Sequence, residues 1–486
     1  MALRLQRQRS RPAGLRPPGG VLAVRGRRLL AAALALGTAL SSLPAWAESL
    51  ADTMVGAYRH SALLEQNRAL LRAADEDVAQ SMAALRPVVQ WAASHNFQQV
   101  DGIEAVATTL ELVGQMTLYD WGRGQLAIDI AKEQVLATRE SLISVEQDIL
   151  LTAVQAYLDI RSAEQQVALQ NNSVGLLTRE RQAAQDRFDV GEITTTDVAL
   201  AEAQLAATRA SLASAQGQLQ IAGENYRNAV GREPGDLDPP PPLPARPASV
   251  EIARDTARRT HPAIRQAQRA VAAAELGVAA AAAERRPQLT GSVGLGTTRA
   301  PGRTLLGTGD QDNTTTLSAG VQASQTIYSG GRLPAAHRRA MAQRDSARSA
   351  LLDTVRQVEL VLGTAWANID VARAQIGSIE EQISAAEQAY EGVREEATLG
   401  ARTTLDVLDA EQDLLEARAD RITAEANLQL AHYQLLAAMG LLTVEHLQLG
   451  IPTYDPSAYY NAVRDAPYTS TQGQNLDRVL RAIGKQ

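Results

Sequence analysis

Gly191-Glu192-Ile193-Thr194-Thr195-Thr196-Asp197-Val198, running on through Ala201-Glu202 to Leu205, returns as Gly400-Ala401-Arg402-Thr403-Thr404-Leu405-Asp406-Val407, running on through Ala410-Glu411 to Leu414. Gly191 and Gly400 lie 209 residues apart, and so do Leu205 and Leu414. Each copy stops one helix and starts another. Glycine at the break can take φ > 0 and end the incoming helix. Threonine and aspartate just after it can cap the outgoing one. The stretch is a helical hairpin tip, present twice.

The repeat extends outward from the tips. Tyr119-Asp120-Trp121-Gly122-Arg123 matches Tyr328-Ser329-Gly330-Gly331-Arg332, and Gly231 matches Gly440, all at an offset of 209. Upstream, Arg86-Pro87 matches Arg286-Pro287 at an offset of 200, so a loop in the second copy is expected to be nine residues longer. His60-Ser61-Ala62-Leu63 resembles His261-Pro262-Ala263-Ile264. The chain is a tandem duplication of a unit of roughly two hundred residues.

Inside each unit the hydrophobic period changes. Residues 49–86 carry a helical stripe. Val89, Trp91, Ala93 and Phe97 then alternate with polar residues, and Val106 to Leu118 do the same after Asp101-Gly102. Leu289 to Leu295 and Leu317 to Ile327 repeat the pattern around a Gly/Thr-rich loop. Each pair reads as a β-hairpin with one apolar face, its strands about ten residues long, enough to cross a bilayer at a tilt. Helices too long for a compact domain follow. No proline interrupts 88–233 or 335–451, and a helix over Gly124 to Arg187 alone would reach about 96 Å. Val135, Leu142, Ile149 and Ala156 are spaced by sevens, as in a coiled coil.

The expected organisation is a signal peptide at 1–47 and repeat 1 at 48–231, with hairpin 88–118, long helix 122–188 and return helix 194–231. A Pro-rich linker occupies 232–248. Repeat 2 at 249–440 holds hairpin 287–328, long helix 332–396 and return helix 403–439, and an irregular tail covers 441–486. The signal reading rests on Arg25, Arg27 and Arg28 before an apolar run and on Ala45-Trp46-Ala47, which places the mature start at Glu48. No later stretch approaches about 18 continuous apolar residues, so any membrane crossing must use strands.

Composition narrows the function. Aromatics are 3% of the chain and cysteine is absent, which removes disulfides and a lipid-anchored N-terminal cysteine. A net charge of −7 argues against nucleic acid as a partner. The six histidines are scattered, with no H-E-x-x-H, G-x-S-x-G or phosphate loop. No catalytic, cofactor or metal site is expected. Four strands cannot close a barrel and lipid does not tolerate open sheet edges, so the strands must close with other copies. A soluble periplasmic coiled-coil adaptor would share the long helices but would not need the amphipathic hairpins.

The hairpins, the junctions at Tyr119, Gly122, Tyr328 and Gly331, and above all the second tip resemble the TolC family of outer-membrane channel-tunnels over about residues 48–450. The resemblance implies an α+β membrane protein: a homotrimer with a 12-stranded outer-membrane β-barrel continuous with a long α-helical coiled-coil periplasmic tunnel, built from an internal tandem repeat. It implies a periplasmic adaptor protein and an inner-membrane ABC or proton-driven transporter as partners, with an exported protein or drug as cargo. It also implies a gate at the tips. Asp406 and Asp409 match the family's carboxylate rings. Their spacing puts them on one helix face, which Asp413 extends, and a ring would raise the pKa of some members. Arg402 matches a latch arginine whose partners on a neighbouring first tip match Thr196 and Asp197. A second latch, a tyrosine in the family, is Ala397 here. The absence of cysteine leans the reading toward type I secretion of a protein such as an RTX-type toxin or protease, with drug efflux as the alternative.

Overall fold

The computed structural model describes residues 48–100, 103–304, 307–452, 454–463 and 478. The expected signal peptide, the Asp101-Gly102 turn and, apart from Arg478, the tail beyond Val463 lie outside the described residues.

Helices α1 (Leu50–His60) and α2 (Ala62–Ala83) lead into strands β1 (Val88–Val100) and β2 (Ile103–Tyr119). The long helix α3 (Arg123–Asp189) follows, and α4 (Thr195–Val230) returns. The order then repeats: α5 (Val250–Thr260), α6 (Pro262–Ala283), β3 (Gln288–Thr304), β4 (Gly307–Ser324), the long α7 (Arg332–Thr398) and the returning α8 (Thr404–Ala438). Ser61 ends α1 with an extended backbone and caps α2, its Oγ accepting from Leu64 N–H at 3.2 Å. Each long helix has 67 residues, about 100 Å at 1.5 Å per residue.

The four strands form one antiparallel sheet in the order β1-β2-β3-β4, which leaves β1 and β4 as its two edges. Large apolar side chains stand out from it, among them Val89, Trp91, Phe97, Leu112, Val293, Leu317 and Val321. The strands have 13, 17, 17 and 18 residues, longer than the ten expected. The extra residues of the second copy lengthen its strands more than its loop: β3 runs on to Thr304, with a register shift between Pro301 and Arg303, where a proline has no N–H for the ladder. In the other direction β4 stops at Ser324, so Thr326 and Ile327, expected in the strand, lie beyond it, and Ile327 is 96% exposed.

The expected heptad stripe of α3 is buried at Val135, Leu142 and Ala156, and Ile149 packs beside it. The largest core lies midway along the long helices. There α1, the ends of α4 and α8 and the segment after Gly440 wrap α3 and α7. The Pro-rich linker is strapped across this level rather than free. Tyr157 Oη–H donates to Asp238 C=O, and Arg161 donates to Leu237 C=O at 3.0 Å. At the matching positions of the other long helix, Arg246 stacks on Trp366, 3.6 Å from the ring centroid, and pairs with both carboxylate oxygens of Asp370. The tail, expected to be irregular, contains helix α9 (Pro456–Val463). It docks on α2, where Tyr459 Oη meets Glu76 at 2.9 Å and the buried Arg68 lies between the rings of Tyr58 and Tyr454.

Candidate functional site

The two hairpin tips share one construction. Gly191 and Gly400 have φ of +83° and +76°, the left-handed conformation that ends a helix. Thr194 and Thr403 are then the N-caps of α4 and α8 in capping boxes. The Asp197 carboxylate accepts from Thr194 N–H at 2.9 Å and Oγ1–H at 2.8 Å; that of Asp406 accepts from Thr403 N–H and Oγ1–H, both at 2.8 Å. These bonds hold both carboxyls below the usual carboxylate range. The raised pKa expected of some members of a carboxylate ring concerns carboxylates of neighbouring subunits; within the protomer Asp406 bonds to its own N-cap. The side chain is folded back on its own helix start. Asp409 and Asp413 are exposed one and two turns further along.

Arg402 does not pair with the first tip inside the protomer. It reaches back over its own turn, Nε–H donating to Glu396 Oε2 at 2.8 Å. Thr196 is exposed beside Asp197. Ala397 packs on the small cluster of Tyr390, Val407 and Leu414.

The two tips pack differently despite the shared sequence. On α8, Leu408 is buried against Leu177, Ala184, Ala201 and Leu205 of the first hairpin. One turn on, Glu411 is 5% exposed, accepting from Ser173 Oγ–H at 3.3 Å, while its second oxygen has no hydrogen-bond partner. Burial, with the nearby Glu180 carboxylate adding to it, pushes the Glu411 carboxyl up to about 7. The matching Ala199 and Glu202 are both exposed. Nothing in the sequence singles out Glu411 as buried, because Ala-Glu occurs in both copies. The one signal available was Leu408 standing where the first copy has alanine.

At the opposite ends of the long helices, Gly122 and Gly331 are the N-caps of α3 and α7, with φ of +83° and +90°. Tyr119 ends β2, its ring 4.6 Å from that of Trp121 in an edge-on contact, and Tyr328, 87% exposed, follows β4. Aromatics at the foot of an apolar sheet mark a membrane–water boundary. No helix among the described residues is long and apolar enough to cross a membrane, and no cluster of metal-ligating side chains occurs among them.

An open, apolar-faced sheet continuous with a coiled coil about 100 Å long defines a membrane-seated tube wall that needs further copies to close. The profile of the family described as "Outer membrane efflux protein" matches residues 56–232 and 253–441, one match to each repeat. The chain belongs to that family. It is 35% identical to the outer membrane efflux protein BepC of Brucella suis over 90% of this chain and 96% of the relative. It is 26% identical to the alkaline protease secretion protein AprF of Pseudomonas aeruginosa over 74% of this chain and 75% of the relative. A solved structure of CusC superposes with a TM-score of 0.72 at 17% identity, covering 81% of this chain and 92% of that one. The protein is an α+β outer-membrane protein of TolC type. Its four strands are one third of a twelve-stranded barrel closed by three copies, and its helices are the wall of a periplasmic tunnel.

Proposed function

We propose that three copies form the exit channel of a tripartite export system, joined through a periplasmic adaptor to an inner-membrane transporter and gated at the helix tips. The observation that carries this reading is the continuity of sheet and helix: each hairpin runs through a short junction closed by a left-handed glycine into a 67-residue helix that ends in a capped tip. Such a wall can carry cargo past the periplasm without releasing it. Arg402, Thr196 and Asp197 fit a latch between subunits, and Asp409 and Asp413 an acidic lining below it.

Two cargo classes remain in play, each supported by its own observation. The absence of a lipidated cysteine favours type I secretion of a protein, and the similarity to AprF supports it. The greater similarity to BepC, along nearly its whole length, supports efflux. Deleting the gene decides between them. Loss of one protein from the culture medium assigns secretion, and increased sensitivity to dyes, detergents or antibiotics assigns efflux. A deletion strain unchanged in both respects overturns the conduit reading.

A further inference from the structure

Arginines bracket both β-hairpins, and the channel function does not call for them. Arg86 precedes β1 and Arg123 follows β2; Arg285 and Arg286 precede β3 and Arg332 follows β4. Arg86-Pro87 and Arg286-Pro287 are repeated, as are Arg123 and Arg332, so the bracket was carried through the duplication. The chain as a whole is acidic, at −7, yet here five arginines stand beside Asp120 and Glu284.

The fold brings these residues to one level. The close approach of Leu85 to Gly124 sets the end of α2 against the start of α3. Arg123 donates to Arg286 C=O at 3.1 Å and Ala283 C=O at 3.4 Å, while Arg286 donates back to Trp121 C=O at 3.2 Å. Arg332, 68% exposed, stands 3.9 Å from Glu284. Arg86 and Arg285 are exposed. Asp120 is occupied by its own turn, accepting from Gly122 N–H and Gly124 N–H at 3.0 and 2.6 Å. At the matching place in the second copy stands the uncharged Ser329, which leaves that junction the more cationic. Tyr119, Trp121 and Tyr328 occupy the same level.

We propose that this collar binds anionic phospholipid headgroups of the periplasmic leaflet, with Arg86, Arg285 and Arg332 meeting the phosphodiester and the aromatics the glycerol backbone. The position argues for lipid over a free anion: the arginines lie where the apolar face of the sheet ends, the depth of headgroups, and a basic cluster beside an aromatic belt is suited to them. Arginine's fork also matches phosphate geometry. The collar would fix the depth of the barrel and its angle to the tunnel.

The test is native mass spectrometry of the purified full-length protein given phosphatidylglycerol or phosphatidylethanolamine. The wild type should retain phosphatidylglycerol preferentially, and raised salt should weaken the preference. The Arg86→Gln/Arg285→Gln/Arg332→Gln variant should lose roughly fivefold in preference for each arginine removed. The proposal is overturned by equal retention of the two lipids, by an unaltered preference in the variant, or by inorganic phosphate displacing the lipid as readily as soluble glycerophosphoglycerol does. If the triple variant no longer assembles in any lipid, Arg332→Gln alone decides: an assembled protein with undiminished preference refutes the collar.

Discussion

Replacing Glu411 by glutamine should tighten the contact between the two hairpins, and only above acidic pH. The carboxyl lies between α3 and α8, with Ser173 and Glu180 on α3 and Tyr390 and Arg394 on α7 around it; Arg394 is 3.9 Å from Glu180. Its ordinary value of 4.5 is pushed up to about 7. The packed state therefore holds more protons than the separated one between those values, and its stability falls as pH rises through that window. A carboxyl displaced this far favours its neutral form by about 3 kcal/mol; solvent reaching one side of the seam reduces the effect to about 2 kcal/mol. Glutamine keeps an oxygen for Ser173 Oγ–H and cannot ionise. Amide exchange along 404–420 should be about thirtyfold slower in Glu411→Gln than in the wild type at pH 8, and the two proteins should agree near pH 4. Equal exchange at pH 8, or a difference that does not depend on pH, would show that Glu411 is not a buried ionisable group at this seam.

Gly440 has φ of +77°, and a Cβ there would lie 2.7 Å from His261 Cα; Gly440→Ala should lower stability by about 3 kcal/mol, read as the urea midpoint of the protomer. Gly400 needs its positive φ but has open space around it, so Gly400→Ala should cost only about 1 kcal/mol; equal losses at both sites would contradict the packing described. Arg402→Ala should raise single-channel conductance in planar bilayers, and unchanged conductance counts against a latch. Asp409→Asn should lower cation selectivity more than Asp406→Asn, because the Asp406 carboxylate is committed to Thr403; the reversal potential in a salt gradient measures both. Arg246→Met removes a cation stacked on Trp366, a contact of about 1 kcal/mol, and should make the linker at 232–248 about fivefold more sensitive to protease.

Much of this architecture was legible because it rests on local rules. Period-two alternation marked the strands, an unbroken heptad stripe marked α3, and Gly-x-x-Thr-x-x-Asp marked both tips as a helix stop beside a capping box. What stayed hidden depends on partners distant in sequence. Arg246 and Asp370 are 124 residues apart, and nothing in a proline-rich stretch says which helix it will cross. Thr and Gly between 296 and 316 read as loop because neither fixes a face, yet in a sheet each residue's backbone can pair whatever its side chain. Arg402 read as a partner for another subunit, while the nearer carboxylate, Glu396, lay six residues back across the turn.

The duplication makes the tips comparable position by position, and the comparison indicates how symmetry is broken. A tube wall of six equivalent hairpins would have no reason to move one set against the other. Here, where the first copy has Ala199, Leu200 and Glu202, the second has Leu408, Asp409 and Glu411. The larger Leu408 fills a slot in the first hairpin, drawing α8 against α3. That same approach buries Glu411, while Asp409 stays exposed and Leu200 is half-buried. A single alanine-to-leucine difference thus couples a stabilising apolar contact to a destabilising buried acid one turn away. The seam is left with a net strength smaller than either contribution, which suits the proposed gate, whose tips would hold together and still release. On this argument Leu408→Ala and Glu411→Gln act in opposite directions on one seam. In the double variant the Glu411→Gln gain should largely vanish, because without Leu408 the acid is no longer buried; an undiminished gain would show that the two are independent.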